Sequence, residues 1–135
     1  MNEPLSTAGM CSIRIITGAL MAYHGLEVFH ADQLKAYTAW DSSKNLPAPL
    51  LWIYAGKGGE LISGLLLAIG FKTRWAGLWI CINMMFICFH VGQGKFYYED
   101  QHPFLFALLG MVYLSYGSGK WSLDYFIQQQ KQARA

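Results

Sequence analysis

Apolar positions along this chain gather into four long runs, about 9–29, 50–71, 75–91 and 103–116, separated by polar stretches. A helix crossing the hydrocarbon core needs ~20 residues, with ~17 as the lower bound. The third and fourth runs sit at or below that bound and require little tilt or a locally thin bilayer. Within Tyr54–Arg74 the polar positions are confined rather than absent. Gly56, Lys57, Glu60, Ser63 and Gly64 share one helical face, while Leu61, Leu65, Leu66 and Ile69 spread over the others. A helix with one small, polar wall inside an apolar run needs other helices over that wall. The pattern predicts an all-α fold: a single domain over residues 1–135, an integral membrane, antiparallel four-helix bundle running up-down-up-down, with a polar pocket in its outer half.

The connections are uneven. His30–Pro49 reads as a long polar loop closed by Pro47-Ala48-Pro49. Lys72-Thr73-Arg74 is a tight basic turn. Gly92–His102 carries glycines and charges, and Glu99-Asp100 followed by Pro103 suits a helix start. After Gly117-Ser118-Gly119 the tail opens with Trp121, Leu123, Tyr125, Phe126 and Ile127, where Ser122 is placed to cap a short interfacial helix. Residues 1–9 lack a basic n-region, and no small-residue cleavage pattern follows the first run, so that run is expected to stay as the first membrane helix. Lys72, Arg74, Lys120, Lys131 and Arg134 lie on the side of both termini, against Lys35, Lys44 and Lys95 on the other. That imbalance orients a multi-pass protein of a bacterial-type inner membrane with both termini cytoplasmic.

Composition agrees with the pattern. The chain is 54% hydrophobic and only 13% charged, where soluble domains average roughly a quarter charged residues. Its mean hydropathy is +0.25. The net charge of +2 is small and dispersed, which argues against nucleic acid as a partner and leaves the bilayer. Cys11, Cys81 and Cys88 show no CxxC or metal-ligand spacing and read as inert thiols. No metal site is expected from them.

Candidate chemistry lies where charge enters the apolar runs, because an ionisable group in hydrocarbon is costly and usually faces the protein interior. In an up-down arrangement His24, Lys57 and His90 fall at roughly matching depth, and Glu60 matches Asn83 nearer the middle, with Arg14 below them. Glu60, His24 and His90 are therefore the candidate catalytic residues. Arg14, Lys57, Glu60 and Asn83 are the candidate cofactor-binding residues. Bland readings stand beside these: Arg14 snorkels or pairs with Glu60, Lys57 and Glu60 satisfy each other at i,i+3, and each histidine is a hydrogen-bonded helix contact. Met21, Met84 and Met85 read as packing. Trp52, Trp75, Trp79 and Trp121 read as interfacial belt and packing, and His30 and His102 as loop or interface residues.

The same residues resemble a known family. Arg14, then His24-Gly25, Gly59-Glu60 with Gly64 and Gly70, Arg74, His90 and the terminal Gly117-Ser118-Gly119-Lys120-Trp121-Ser122-Leu123-Asp124 follow the order and spacing of the DoxX family. Many members carry a basic residue just after the His-Gly, whereas this chain has Glu27-Val28. The resemblance implies a small four-helix inner-membrane protein. The family takes its name from a subunit linked to thiosulfate:quinone oxidoreductase, and relatives include assembly-like membrane factors. The leading expectation is a quinone-interacting or redox-associated subunit. In it Glu60 with His24 or His90 exchanges protons, Arg14 and Lys57 hold Glu60 ionised, and a soluble or membrane redox partner supplies electrons. Haem or a metal stays open as a cofactor, including a haem held by His24 and His90. The alternative is a non-catalytic factor for assembly, metal handling or maturation of a partner. The sequence sets no oligomeric state.

Overall fold

The computed structural model describes residues 3–134, with side chains from residue 6 onward. Among the described residues every regular element is helical. Helix α1 spans Glu3–Gly25 and tightens into a 3-10 turn at Leu26–Phe29. The stretch expected as a loop folds into two short helices, α2 at Ala31–Thr38 and α3 at Asp41–Lys44. Leu34, fully buried, pins α2 to the body of the protein, so a polar segment is held helical by one apolar anchor. Helix α4, Pro49–Ile69, begins with proline in its first turn and stops at Gly70, whose φ of 72° is the left-handed geometry glycine adopts most readily. Helix α5, Thr73–Phe86, follows after a three-residue turn and continues as a π-helical turn at Ile87–Val91. Helix α6 covers Gln101–Tyr116, and α7 covers Leu123–Arg134. Among the described residues two helices are long and apolar enough to cross a membrane: α4, and α5 with its π turn, 21 and 19 residues.

Packing proceeds in the order α1 on α4, α4 on α5, α5 on α6, with a narrower contact from α6 back to α1. Helices α1 and α4 run antiparallel, since Gly18 faces Gly64 and Ala68 while Gly25 faces Leu61. Small residues let these backbones approach: a Cβ at Gly64 would lie 2.4 Å from the Ala22 nitrogen, a distance no side chain tolerates. Gly77 and Gly110 repeat the device between α5 and α6. The buried apolar core is Met21, Leu67, Ala76, Ile80, Met84, Phe106, Ala107 and Tyr113. Arg14, Thr17, Glu60, Ser63 and Thr73 are buried beside it, while Ile16, Leu51, Ile62, Trp75, Ile82 and Leu105 are exposed. Polar groups turn inward and large apolar ones outward.

Candidate functional site

Lys57 and Glu60 stand one turn apart on α4, so their side chains meet. Lys57 Nζ lies 3.1 Å from Glu60 Oε2. The tight α4–α5 hairpin brings Asn83 level with them, and its Nδ2 donates to Glu60 Oε1 at 3.2 Å. Gly56 leaves the space beside Asn83 that a larger residue would enter. A second carboxylate, from a third element, completes the cluster: the 3-10 turn after α1 swings Glu27 over α4, placing its Oε2 3.0 Å from Lys57 Nζ. Tyr37, carried by α2, donates its hydroxyl to the same oxygen at 2.9 Å and accepts from Gln33 Nε2 at 3.1 Å. Burial first, and the bond to Glu27 second, push the Tyr37 phenol above its ordinary 10.0. It is therefore a proton donor in this network at neutral pH.

One ammonium thus serves two carboxylates. Glu60 is only 2% exposed and Lys57 is largely covered, so the attraction is little screened by solvent. With two negative charges against one positive, the cluster can take up a proton and end electrically balanced. Lys57, Glu60 and Asn83, singled out from helical spacing and depth, are brought together. Glu27 and Tyr37 were missed, although an acid closing the first apolar run was a usable signal.

The histidines distribute otherwise than their depths suggested. His24 lies beside His102, ring centroids 5.3 Å apart, and both rings stand edge-on to Phe106 at 6.4 and 5.0 Å. His102, read from sequence as a loop residue, is the one that α6 brings to His24. His90 is exposed and stacks on Phe86 at 4.8 Å with an interplanar angle of 10°. The α1–α4–α5–α6 order keeps α1 from packing along α5, so equal depth does not make His24 and His90 neighbours. The geometry gives no support to a haem held between them. Among the described residues no group of three or more His, Cys, Asp or Glu side chains is placed to hold a metal ion.

Arg14 also lies elsewhere. It is 2% exposed and sits against Gly70, ten residues along α4 from Glu60, or ~15 Å of helix. The expected ion pair with Glu60 is replaced by bonds to backbone: Nη1 donates to the Ser118 carbonyl, and Nη2 to the Trp121 carbonyl at 2.7 Å. Those carbonyls belong to a turn in which Gly117 and Gly119 have φ of 81° and 71°. Ser122 Oγ donates to the Gly119 carbonyl at 2.7 Å and accepts from the Tyr125 N–H at 3.2 Å, starting α7. The Asp124 carboxylate then accepts from the N–H groups of Lys72 and Thr73 at 2.8 and 3.1 Å, capping α5, and its own N–H donates to the Gly70 carbonyl at 2.9 Å. The Gly-Ser-Gly and Ser-Leu-Asp pieces are a clasp that ties the chain end onto α1 and the α4–α5 turn. A cavity of about 820 Å³ opens at this clasp, at the opposite end from Glu27 rather than around Glu60.

Neither the curated proteins nor the solved structures yielded a relative of this chain. A family model, DoxX, matches residues 9–93, which include most of α1, all of α4, α5 with its π turn and every charged member of the polar cluster. With that match covering well over half of its length, the chain belongs to the DoxX family.

Proposed function

We propose that this protein is a four-helix, antiparallel membrane bundle of the inner membrane, both termini cytoplasmic, and a quinone-interacting or redox-associated subunit. The membrane reading is supported by two apolar helices of spanning length and by the outward turn of Ile16, Leu51, Ile62, Ile82 and Leu105. So many large apolar side chains facing outward are unusual for a soluble monomer. DoxX membership carries the same implication.

The observation that carries the functional reading is the Glu27–Lys57–Glu60–Asn83 cluster, two carboxylates on one ammonium with Glu60 buried. A quinone carbonyl accepts hydrogen bonds, and the residues here fit that need. The ammonium of Lys57 has three N–H bonds and the amide of Asn83 two, so each keeps donor capacity beyond the bonds described. A quinone bound here would supply reversible two-electron, two-proton chemistry. The chain's own part is to orient the carbonyl with Lys57 and Asn83 and to hold or release a proton at Glu60, with Glu27 and Tyr37 continuing the hydrogen-bonded line toward α2. His24 and His102 lie off this line.

Extraction of the purified protein tests the reading. Wild type should carry quinone, and Glu60→Gln, which removes the charge that holds Lys57 and Asn83 in place, should lose about tenfold or more of it while still accumulating in the membrane. Equal quinone content in the two proteins, or none in either, would refute it. One observation favours the alternative, a non-catalytic assembly or maturation factor: both Glu60 oxygens already have partners within the chain, as a purely structural ion cluster requires. Under that reading Glu60→Gln reduces membrane accumulation and the protein co-purifies with a partner rather than with quinone.

A further inference from the structure

The seam between α4 and α5 carries aromatic side chains that the polar cluster does not use. Asn83 is the one member of that cluster on α5. A turn of helix separates it from Trp79 on one side and from Phe86 on the other, so the three share a face. Across the seam, Gly56 and Gly59 of α4 likewise stand a turn apart. Gly59 lies against the Trp79 indole, since a Cβ there would fall 2.1 Å from Nε1. Gly56 lies against Asn83, but a Cβ there would meet only Oδ1, at the ordinary contact distance of 3.5 Å. The seam is closed at Trp79 and has room at Asn83. It also reaches the surface: Trp79 is 44% exposed, and Phe86 continues into the exposed His90 ring stacked on it at 4.8 Å.

Trp79 is out of place as a belt residue. It stands six residues, ~9 Å, into α5, deeper than the head-group level where such rings gather. Among the described residues its indole N–H finds no acceptor, and hydrocarbon supplies none. The Asn83 amide spends one of its two N–H bonds on Glu60 Oε1 and keeps the other. Two N–H donors a turn apart, ~5.4 Å along the axis, are spaced like the two carbonyl oxygens of a p-quinone. The faces of Trp79 and Phe86 suit a flat ring held between them. We infer that the quinone enters from the lipid through the α4–α5 seam and lies beside Gly56, its ring between Trp79 and Phe86 and one carbonyl on the Asn83 amide. That the ligand is a quinone rests on the function proposed above; its place in the seam and its lateral route rest on Trp79, Gly56 and Asn83.

The test titrates decylubiquinone, a ubiquinone with a short saturated tail, into the purified full-length protein in detergent and follows tryptophan emission, which a bound quinone quenches. Wild type should show saturable quenching. Trp79→Phe should lower its absolute amplitude, and Trp121→Phe, at the clasp end, should not. Gly56→Leu fills the space beside Asn83 and should weaken binding about tenfold or more. Its ligand-free melting temperature should not fall, because Leu is the better helix former, whereas a merely structural glycine would lower it. Trp79→Leu should weaken binding about twofold to tenfold, the value of one aromatic contact. If Glu60→Gln weakens binding while Gly56→Leu and Trp79→Leu do not, the seam is overturned and the quinone function stands. If the two seam variants weaken it and Glu60→Gln does not, the seam stands and Glu60 leaves the site. No saturable quenching by wild type overturns both.

Discussion

The two ends of the molecule use charge in opposite ways. At one end, Lys57 grips Glu27 and Glu60, charge on charge, with Asn83 and Tyr37 filling the remaining valences. At the other, Arg14 and Asp124 grip backbone, the guanidinium taking carbonyls of residues 118 and 121 and the carboxylate taking N–H groups of residues 72 and 73. A peptide carbonyl does not exchange protons near neutral pH, so a charge spent on it can only hold the chain in place. A carboxylate facing an ammonium can trade a proton without any backbone moving. The partner of a buried charge, more than its depth, separates stitching from chemistry here.

The sharpest way to break that contrast is at Arg14. Arg14→Met keeps an unbranched chain in the space and orphans two carbonyls, so thermal melts in detergent should show about 2–4 kcal/mol lost, with α7 becoming protease-sensitive. Quinone content per folded molecule should stay unchanged, because Arg14 lies ~15 Å of helix from Glu60. A variant with normal stability and lost quinone would invert the assignment of the two ends.

The polar end should behave differently, because its two acids share one cation. Glu27→Gln and Glu60→Gln each leave Lys57 one carboxylate and should each cost under about 1 kcal/mol, as polar contacts within membranes generally do. Together they strand the ammonium, and the double variant should lose about 1–2 kcal/mol more than the sum of the two. Additive losses in a double-mutant cycle would mean that Lys57 is not shared.

What could be read from sequence follows the same division. Lys57, Glu60 and Asn83 were legible because i,i+3 spacing and the short hairpin at residues 70–72 constrain both level and facing. Glu27 was not, since the 3-10 turn at Leu26–Phe29 departs from the helical projection of α1 and redirects its side chain. Depth matching paired His24 with His90 because rise per residue fixes level but not the order of helices around the molecule. Closure of α6 onto α1 supplies His102 instead. Arg14 was matched to the nearest acid, although backbone carbonyls in a glycine turn, invisible to any charge pattern, are its partners. The helical class and the apolar runs were plain; the α2 and α3 helices, whose buried residues are Leu34 and Ser43, were not.

The smallest expected effect is at the rim of the polar end, and it tests whether Tyr37 belongs to the cluster or merely covers it. Tyr37→Phe removes the hydroxyl donated to Glu27 and leaves the ring beside Lys57, so neutral-pH melts should shift by only ~0.5 kcal/mol. The pH profile carries more. The folded phenol titrates above the unfolded one, whose ordinary value is 10.0, so its contribution is fully present below pH 10 and falls away as pH rises through the folded value. Wild type and Tyr37→Phe should therefore keep a constant separation in melting temperature from pH 7 to 9 and draw together at higher pH. A separation that persists unchanged through the alkaline range would make Tyr37 a packing ring, and the line of hydrogen bonds from Glu60 would end at Glu27.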